Sequence, residues 1–163
     1  EHMALSRELA LDQDQIEDML NNDWNIRIAT LDASANINLT PMWFGWAGGK
    51  IYIYGRGQKV VNLRRNSNCT VLVDRNEKFP ELQAIMMRAT ARILETAEDE
   101  AAEPDLAQAR RQMGIKYNGG HGQPPVDNPP PMAASAGGRS RRWIVITPER
   151  TVTWDNFKLD RLS

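Results

Sequence analysis

The chain has few of the residues on which metal binding and covalent catalysis most often depend. Cys69 is the only cysteine among 163 residues, which excludes an intramolecular disulfide, a Cys-x-x-Cys redox pair and a cysteine-based zinc site. Of the two histidines, His2 belongs to an opening Glu1-His2-Met3 that is typical of a cloning remnant. His121 alone does not make a two-histidine metal site, so we expect no bound metal.

An excess of charge of one sign is also absent, as are long apolar runs. Lys and Arg number 20 against 21 Asp and Glu, a net charge of −1, which does not favour a nucleic-acid partner. No run approaches the roughly 18 apolar residues that span a bilayer, and the start lacks a signal-peptide pattern. We therefore expect a cytoplasmic protein without a membrane partner, folded as a single domain over residues 4–163.

Short segments with high β propensity dominate the rest of the sequence. They predict a hairpin of strands 25–31 and 37–46, a strand 51–54 that completes a meander, strands 69–74 and 82–95, and a last hairpin of 143–147 and 151–154. Helices are predicted over 12–22, capped by Asp12 or Asp14, over 58–66, and from about Glu95 to Met113. The pattern indicates a mainly β fold, a six- or seven-stranded antiparallel barrel, because closure removes exposed edges.

Residues 114–142 have a different composition. They contain five of the nine prolines and six of the eleven glycines, which predicts a loop insertion without regular structure. A loop of this length is either a functional lid or disordered. If it is a lid, Tyr117 or His121 could donate a proton to a substrate.

The stretch from Tyr52 to Arg65 carries the first candidate site. A strand ends there, Gly55 and Gly57 allow a close backbone approach, and Arg56 and Lys59 stand at the start of a short helix. Free N–H groups beside cations are typical of a phosphate site. The stretch lacks the Gly-Lys-Ser/Thr ending of a Walker loop and the third glycine of a dinucleotide fingerprint. A plain strand-to-helix turn with a solvated basic face is the alternative.

A second candidate is the segment Leu39-Thr-Pro-Met-Trp-Phe-Gly-Trp46. Pro41 interrupts an otherwise good strand and must lie at an edge or a bulge, which leaves backbone groups free. Free backbone groups beside Trp43 and Trp46 suit the polar edge of a planar ring system. Packing of both indoles in the core is the alternative.

These pieces occur in an order that resembles a known family. The order is Arg27-Ile-Ala-Thr-Leu-Asp32, Leu39-Thr-Pro-Met-Trp-Phe44, Ile51-Tyr-Ile-Tyr54, Lys59-Val-Val-Asn-Leu-Arg-Arg-Asn66 and Thr70-Val-Leu-Val-Asp74, with a closing Ile146-Thr-Pro-Glu-Arg-Thr-Val-Thr-Trp154. It is similar to the pyridoxamine 5′-phosphate oxidase-like split β-barrel family, of FMN-binding type. The resemblance covers about residues 12–95 and 142–162.

The resemblance implies a homodimer with two cofactor sites at the subunit interface, each holding FMN or, in one large branch, the 8-hydroxy-5-deazaflavin coenzyme. It implies phosphate contacts from Lys59 and Arg56, with Asn62 nearby. It places Tyr54 near the ribityl chain and brings Trp154 to the ring from the partner subunit. The strand residues expected along the ring are Thr40, Pro41, Met42 and Trp43.

Two departures from the family pattern limit what carries over. A basic pair before the helix is replaced by Gln58-Lys59, so Arg56 must reach further to contact a phosphate. The Arg-x-His that holds the substrate phosphate in true pyridoxamine 5′-phosphate oxidases is absent from the tail Lys158-Leu-Asp-Arg-Leu162. We therefore do not expect oxidation of vitamin B6.

The resulting expectation is a flavin-type oxidoreductase acting on a small organic substrate, with the ring carrying the hydride and no catalytic side chain named. FMN is favoured because only two cations stand next to the glycines. Deazaflavin, with its long acidic tail, is the alternative if Arg64, Arg65 and the cluster Arg139-Ser-Arg-Arg142 line a basic groove. A protein that binds or stores flavin or haem without turnover also fits the sequence, as does a dimeric barrel whose pocket has decayed.

Overall fold

A computed structural model describes residues 7–119 and 141–162 of the chain. The strands are β1 (Ile26–Leu31), β2 (Ile37–Met42), β3 (Gly45–Ala47), β4 (Lys50–Gly55), β5 (Asn68–Arg75), β6 (Gln83–Leu94) and β7 (Arg142–Asp155). The longer helices are α1 (Gln13–Asn22), α2 (Gln58–Arg65), α3 (Ala97–Ala102) and α4 (Leu106–Gly119), and short 3₁₀ turns cover Phe79–Glu81 and Asn156–Leu162. None of the described helices is long and apolar enough to cross a membrane.

The seven strands form one sheet in the order β2-β1-β5-β6-β7-β4-β3, and each neighbouring pair is antiparallel. The sheet curls, as the approach of its two edges shows. Met42 is at one edge and Gly55 near the other, and a Cβ placed on Gly55 would lie 3.4 Å from Met42 Cε. The predicted mainly β, antiparallel split barrel is confirmed.

The predicted meander of the first three strands is wrong. β2 pairs with β1, whereas β3 pairs with β4, and the two hairpins lie at opposite edges of the sheet. The chain leaves β2 after Met42, directly beyond Pro41, and resumes a strand only at Gly45. Because proline lacks an N–H group, Pro41 is tolerated at an outer edge and does not pair with a further strand.

The predicted last hairpin is also wrong. Residues 142–155 form the single strand β7, whose register against β6 shifts between Arg88 and Ala89. Arg150 lies opposite Arg88 and Pro148 lies opposite Ala89, which leaves Glu149 between them without a partner position. A bulge bends a strand without ending it, so it accommodates Pro148 without a turn.

The sheet separates two apolar layers. The inner core contains Ile26, Ile28, Phe44, Ile51, Ile53, Val71, Val73, Ile144 and Ile146, together with residues of α1 and α2. On the other face, Met113 and Tyr117 of α4 pack with Tyr52, Trp143 and Val145. Successive residues of β4 and β7 therefore contact the inner core and the α4 layer in alternation.

The boundaries around α4 differ from the prediction. The predicted single helix is two, α3 and α4, because Pro104 falls between them and cannot continue the first helix. The predicted loop over 114–142 is too long at both ends, since α4 extends to Gly119 and β7 begins at Arg142. Tertiary contacts of Tyr117 carry the helix beyond Gly114. The rest of the predicted loop, 120–140, lies outside the described residues.

Candidate functional site

Helix α2 starts on an uncapped turn just beyond β4. Gly57 occupies the N-cap position with φ of 81°, a backbone conformation that favours glycine. Within the described ranges no side chain caps the helix, and its first turn contains no acidic residue. The N–H groups at this end can therefore bind an anion, as helix N-termini commonly do.

Lys59 lies against the glycine that ends β4. A Cβ placed on Gly55 would lie 3.4 Å from Lys59 Cδ, so the aliphatic part of the side chain covers this glycine. The Lys59 ammonium donates a hydrogen bond of 2.9 Å to the carbonyl oxygen of Arg56. Burial lowers the pKa of Lys59, and the charges of Arg141 and Arg56 lower it further. A bound anion would offset this repulsion.

Arg141 joins Arg56 and Lys59 from the start of β7. Gly55 lies opposite Arg142 in the antiparallel β4–β7 ladder, so the next position along places Arg141 opposite Arg56. The Nε atom of Arg141 is buried and has no hydrogen-bond partner. Among the described residues, none of these three side chains forms an ion pair with a carboxylate. We call Arg56, Lys59 and Arg141 the cation cluster.

Strand β2 presents a further unsatisfied polar atom to the barrel interior. Thr40 and Met42 lie opposite Ile28 and Ile26, which belong to the inner core, so all four side chains face the same way. Thr40 Oγ1 is buried and has no hydrogen-bond partner. Met42, on the same face, reaches toward Gly55. Buried polar groups normally have a partner, so Thr40 marks a place where a polar ligand atom fits.

Trp43 forms an aromatic wall directly after β2. Its ring stacks on Tyr117 with centroids 4.1 Å apart and planes 5° from parallel. Trp24 meets it edge to face, with centroids 5.9 Å apart. Trp43 is nevertheless 41% exposed. Since one face is covered by Tyr117, the other can receive a planar ring.

The expectation that Tyr117 donates a proton from a lid is wrong. Its side chain is buried in the layer formed by α4, and its hydroxyl is within hydrogen-bond distance of the backbone of Phe44 and Trp24. Burial raises the pKa of Tyr117 well above its usual range. Buried and bonded in this way, the hydroxyl holds protein backbone instead of facing a substrate. The other predicted donor, His121, lies outside the described residues.

Asn62 faces inward from α2 and is fully buried. Its Nδ2 donates to Thr30 Oγ1 at 3.0 Å, and its Oδ1 accepts a hydrogen bond from Gln58 Nε2 at 2.7 Å. These bonds connect α2 to β1. A direct contact of Asn62 with a cofactor stays a prediction.

Three further predicted site residues lie at separate places. Tyr54 stacks on Trp143 across the β4–β7 ladder, with centroids 4.9 Å apart. Pro41 is exposed at the β2 edge opposite Arg27. Trp154 is eleven positions beyond Trp143 on β7, opposite Ala84 of β6. Within one protomer, Trp154 therefore lies at the far end of β7 from Tyr54.

Most of the described arginines considered for a basic groove interact with other groups of the protein. The Arg64 guanidinium pairs with both oxygens of Glu95, at 2.7 and 3.0 Å, and Arg142 Nε lies 3.9 Å from the same carboxylate. Arg65 donates to the carbonyl oxygen of Leu31. Of the described side chains expected there, Arg141 alone joins the cation cluster, and Arg139 lies outside the described residues. The basic residues near position 140 were the sequence signal for Arg141, but only the register of β4 and β7 places Arg141 beside Arg56.

Sequence comparison relates the chain to a known protein family. A sequence model of the pyridoxamine 5′-phosphate oxidase family matches residues 12–155. The chain belongs to this family. The match spans β1 to β7 and includes Lys59, Arg141 and Trp154, which confirms the resemblance found in the sequence. No curated relative matches the chain.

Solved structures similar to this family member share its fold. The conserved hypothetical protein Rv2991 from Mycobacterium tuberculosis aligns with a TM-score of 0.72 and 22% identity, over 94% of this chain and 90% of the other. The haem storage protein HutZ from Vibrio cholerae gives a TM-score of 0.61 and 15% identity, over 86% of this chain and 94% of the other. A protein described as F420 reductase gives 0.56 and 21%, over 83% and 94%.

Proposed function

We propose that the protein binds a flavin-type cofactor, FMN in the first place, and acts as an oxidoreductase on a small organic substrate. The observation that carries this proposal is the cation cluster, which gathers three positive side chains at an uncapped helix start without a carboxylate partner in the described part of the chain. A phosphate group matches this donor set in charge and in hydrogen bonding. Support also comes from membership in the pyridoxamine 5′-phosphate oxidase family.

The residues of the candidate site match the phosphate, the polar atoms and the flat ring of FMN. Lys59, Arg56 and Arg141 would hold the phosphate. The unpartnered hydroxyl of Thr40 and the open face of Trp43 would meet the polar and flat parts of the ring system. When bound, the isoalloxazine ring supplies the hydride chemistry, while the protein supplies position and electrostatics.

The bonds of the surrounding arginines favour FMN over deazaflavin. A deazaflavin coenzyme carries a long acidic tail that needs a wide basic surface, but Arg64 and Arg142 are directed toward Glu95 and Arg65 toward Leu31. The cation cluster alone matches one compact phosphate. The likeness to an F420 reductase keeps deazaflavin as the alternative, so both cofactors belong in the binding experiment.

We further propose that two copies of the chain pair through the outer face of the sheet. Ile37 and Leu39 are 72% and 63% exposed on β2. Following the strand pairing across the sheet, Trp154 lies on the same outer face as Leu39. Pairing of this face would cover exposed apolar area and allow Trp154 of the partner subunit to approach a ring bound at β2, as the resemblance implies.

The test of the phosphate site compares FMN with riboflavin, which has the same ring but no phosphate. Titrations follow visible absorption and quenching of tryptophan fluorescence, with deazaflavin coenzyme run in parallel. We expect Lys59→Ala and Arg141→Ala each to weaken FMN binding by about 1.5–3 kcal/mol, roughly 10- to 150-fold, the contribution of a charged hydrogen bond. Riboflavin affinity should not change.

Arg65→Ala is the matched control, because Arg65 also lies on α2 but bonds to Leu31. It should bind FMN like the wild type. Absence of FMN and deazaflavin binding in the wild type would overturn the proposed function. Equal FMN affinity in the wild type and Lys59→Ala would remove Lys59 from the site.

Turnover is tested separately, since related folds include a haem storage protein. The protein loaded with its cofactor is mixed anaerobically with NADH, NADPH or reduced deazaflavin, and the visible spectrum is followed. Reduction, followed by reoxidation with an organic acceptor, is expected for an oxidoreductase. A cofactor that stays oxidised with every donor would instead indicate a protein that binds or stores flavin or haem.

A further inference from the structure

The indole of Trp43 contacts aromatic side chains from other parts of the fold. It lies in the connection between β2 and β3, at the point where the chain leaves the sheet edge. Tyr117 stacks on one face of the ring, with ring centroids 4.1 Å apart, and Trp24 meets the ring edge to face. A connecting segment without ladder hydrogen bonds is mobile unless side chains fix it. The position of the Trp43 ring therefore depends on Tyr117 and Trp24.

The Tyr117 hydroxyl holds the backbone on either side of this contact. It accepts a hydrogen bond of 2.8 Å from the N–H of Phe44 and donates to the carbonyl oxygen of Trp24 at 2.8 Å. The carbonyl oxygen of Phe44 lies 3.2 Å away. One buried side chain thus stacks on Trp43 and satisfies the backbone of the residue that follows it.

Helix α4 repeats this support along its inward side. Gln112 Oε1 accepts from the N–H of Trp46 at 3.1 Å, while its Nε2 donates to the carbonyl oxygen of Asn21 at 2.9 Å. Met113 packs so closely on Gly45 that a Cβ there would lie 3.0 Å from Met113 Cγ. The helix is thereby fixed to α1 and to the residues that follow Trp43, and it gives Tyr117 a rigid base.

We propose that Tyr117 is a positioning residue that holds Trp43 as the ring-binding wall of the cofactor site. This inference rests on the proposed function, because it assigns Trp43 to the flat face of the bound ring. The stack fixes the tilt of the indole, and the hydroxyl fixes the backbone that carries it. Tyr117 itself does not touch the cofactor.

The role requires tyrosine, and phenylalanine would supply only half of it. Tyr117→Phe keeps the stacked ring but leaves the N–H of Phe44 without its partner in the buried layer. Tyr117→Leu removes the stacked ring as well. The two variants therefore separate the hydrogen bonds from the stacking, and the first preserves side-chain volume closely enough to fold.

The experiment measures FMN and riboflavin affinity in the two variants, together with visible circular dichroism of the bound ring at saturation. For Tyr117→Phe we expect FMN and riboflavin to weaken by the same factor, about 3- to 10-fold, since the loss is on the ring side of the site. For Tyr117→Leu we expect a larger loss and an altered circular dichroism band at saturation. Lys59→Ala should instead lose affinity for FMN alone and keep the wild-type band.

Ile115→Ala is the matched control, because Ile115 is on the same helix turn but 44% exposed. It should leave both affinities and the band unchanged. The inference is overturned if the Tyr117 variants keep wild-type riboflavin affinity and band shape, or if Ile115→Ala produces the same changes. A wild type that binds neither FMN, riboflavin nor the deazaflavin coenzyme would overturn the proposed function and this role with it, which is a different result.

Discussion

At the scale of single residues, the Lys116 amine lies in an unusual environment beside the connection between β2 and β3. Its Nζ lies 3.7 Å from the centroid of the Phe44 ring and donates to the carbonyl oxygen of Asp23 at 3.0 Å. Burial lowers the pKa of Lys116 to about 7, and the nearby Asp23 carboxylate offsets only part of this effect. Asp23 itself is bonded to Arg75, which limits its interaction with Lys116.

This shift predicts that stability increases above neutral pH. Between pH 7 and the ordinary lysine value of 10.5, the unfolded chain binds a proton at Lys116 that the folded protein does not. The free energy of unfolding should therefore rise with pH in this window, by up to about 1.4 kcal/mol per pH unit, and stop changing through this group below pH 7.

Urea unfolding of the wild type and Lys116→Met at pH 6, 7, 8 and 9 measures the contribution. Met keeps the length of the side chain without its charge. As pH rises, the free energy of unfolding of the wild type should increase relative to that of Lys116→Met. Parallel curves across this range would show that Lys116 has an ordinary pKa.

At the scale of elements, a carboxylate at the α3–α4 junction connects the helical layer to the sheet. Glu103 is 6% exposed and accepts hydrogen bonds from Tyr52 Oη at 2.6 Å, from Arg92 at 2.6 Å and from Lys50. Burial raises the pKa of Glu103, but the bonds from Lys50 and Tyr52 outweigh it and hold the pKa below its ordinary value. The junction is thereby joined to β4 and β6.

Glu103→Gln should lower the free energy of unfolding by about 1.5–3 kcal/mol, the cost of weakening hydrogen bonds to a charged group. The loss stays in this range because Lys50 keeps Asp105 as a partner and the Arg92 side chain is largely solvated. The control is Glu95→Gln, whose exposed pair with Arg64 should contribute less than about 1 kcal/mol. Equal losses in urea unfolding at pH 7 would contradict the assigned role of Glu103.

At the scale of the whole molecule, the predicted site residues lie in two distant parts of one protomer. The cation cluster, Thr40 and Trp43 belong to one protomer, whereas Trp154 lies at the distant end of β7. A homodimer paired through the outer face would bring the two parts together. The exposed apolar side chains of β2 give that face its driving force.

Leu39→Lys should convert the proposed dimer to a monomer, because the substitution places a charge in the middle of the paired face. Sedimentation analysis of the wild type and variant measures the change, and FMN titration should show weaker binding in the monomer. Ile115→Lys, an exposed apolar position on α4, should remain dimeric. A monomeric wild type, or an unchanged dimer in Leu39→Lys, would refute this mode of pairing.

Much of the architecture could be predicted from local sequence. Alternating apolar residues located β5 and β6, and Asp12 capped α1 as expected, with Gln15 completing a capping box. The glycine pair before Lys50 adopts the positive φ angles that a tight hairpin turn needs. These features depend on neighbours within a few residues, which the sequence displays directly.

From the sequence alone, the order of the motifs revealed the resemblance to the family, while local composition and spacing predicted the mainly β class and the basic, glycine-flanked start of α2. The tertiary fold, in contrast, shows that β2 and β3 lie at opposite edges of the sheet and that β7 is one bent strand. It also placed Arg141 beside Arg56 and Tyr117 beneath Trp43. Those contacts join residues far apart in sequence, and strand register and helix packing, which local patterns do not specify, create them.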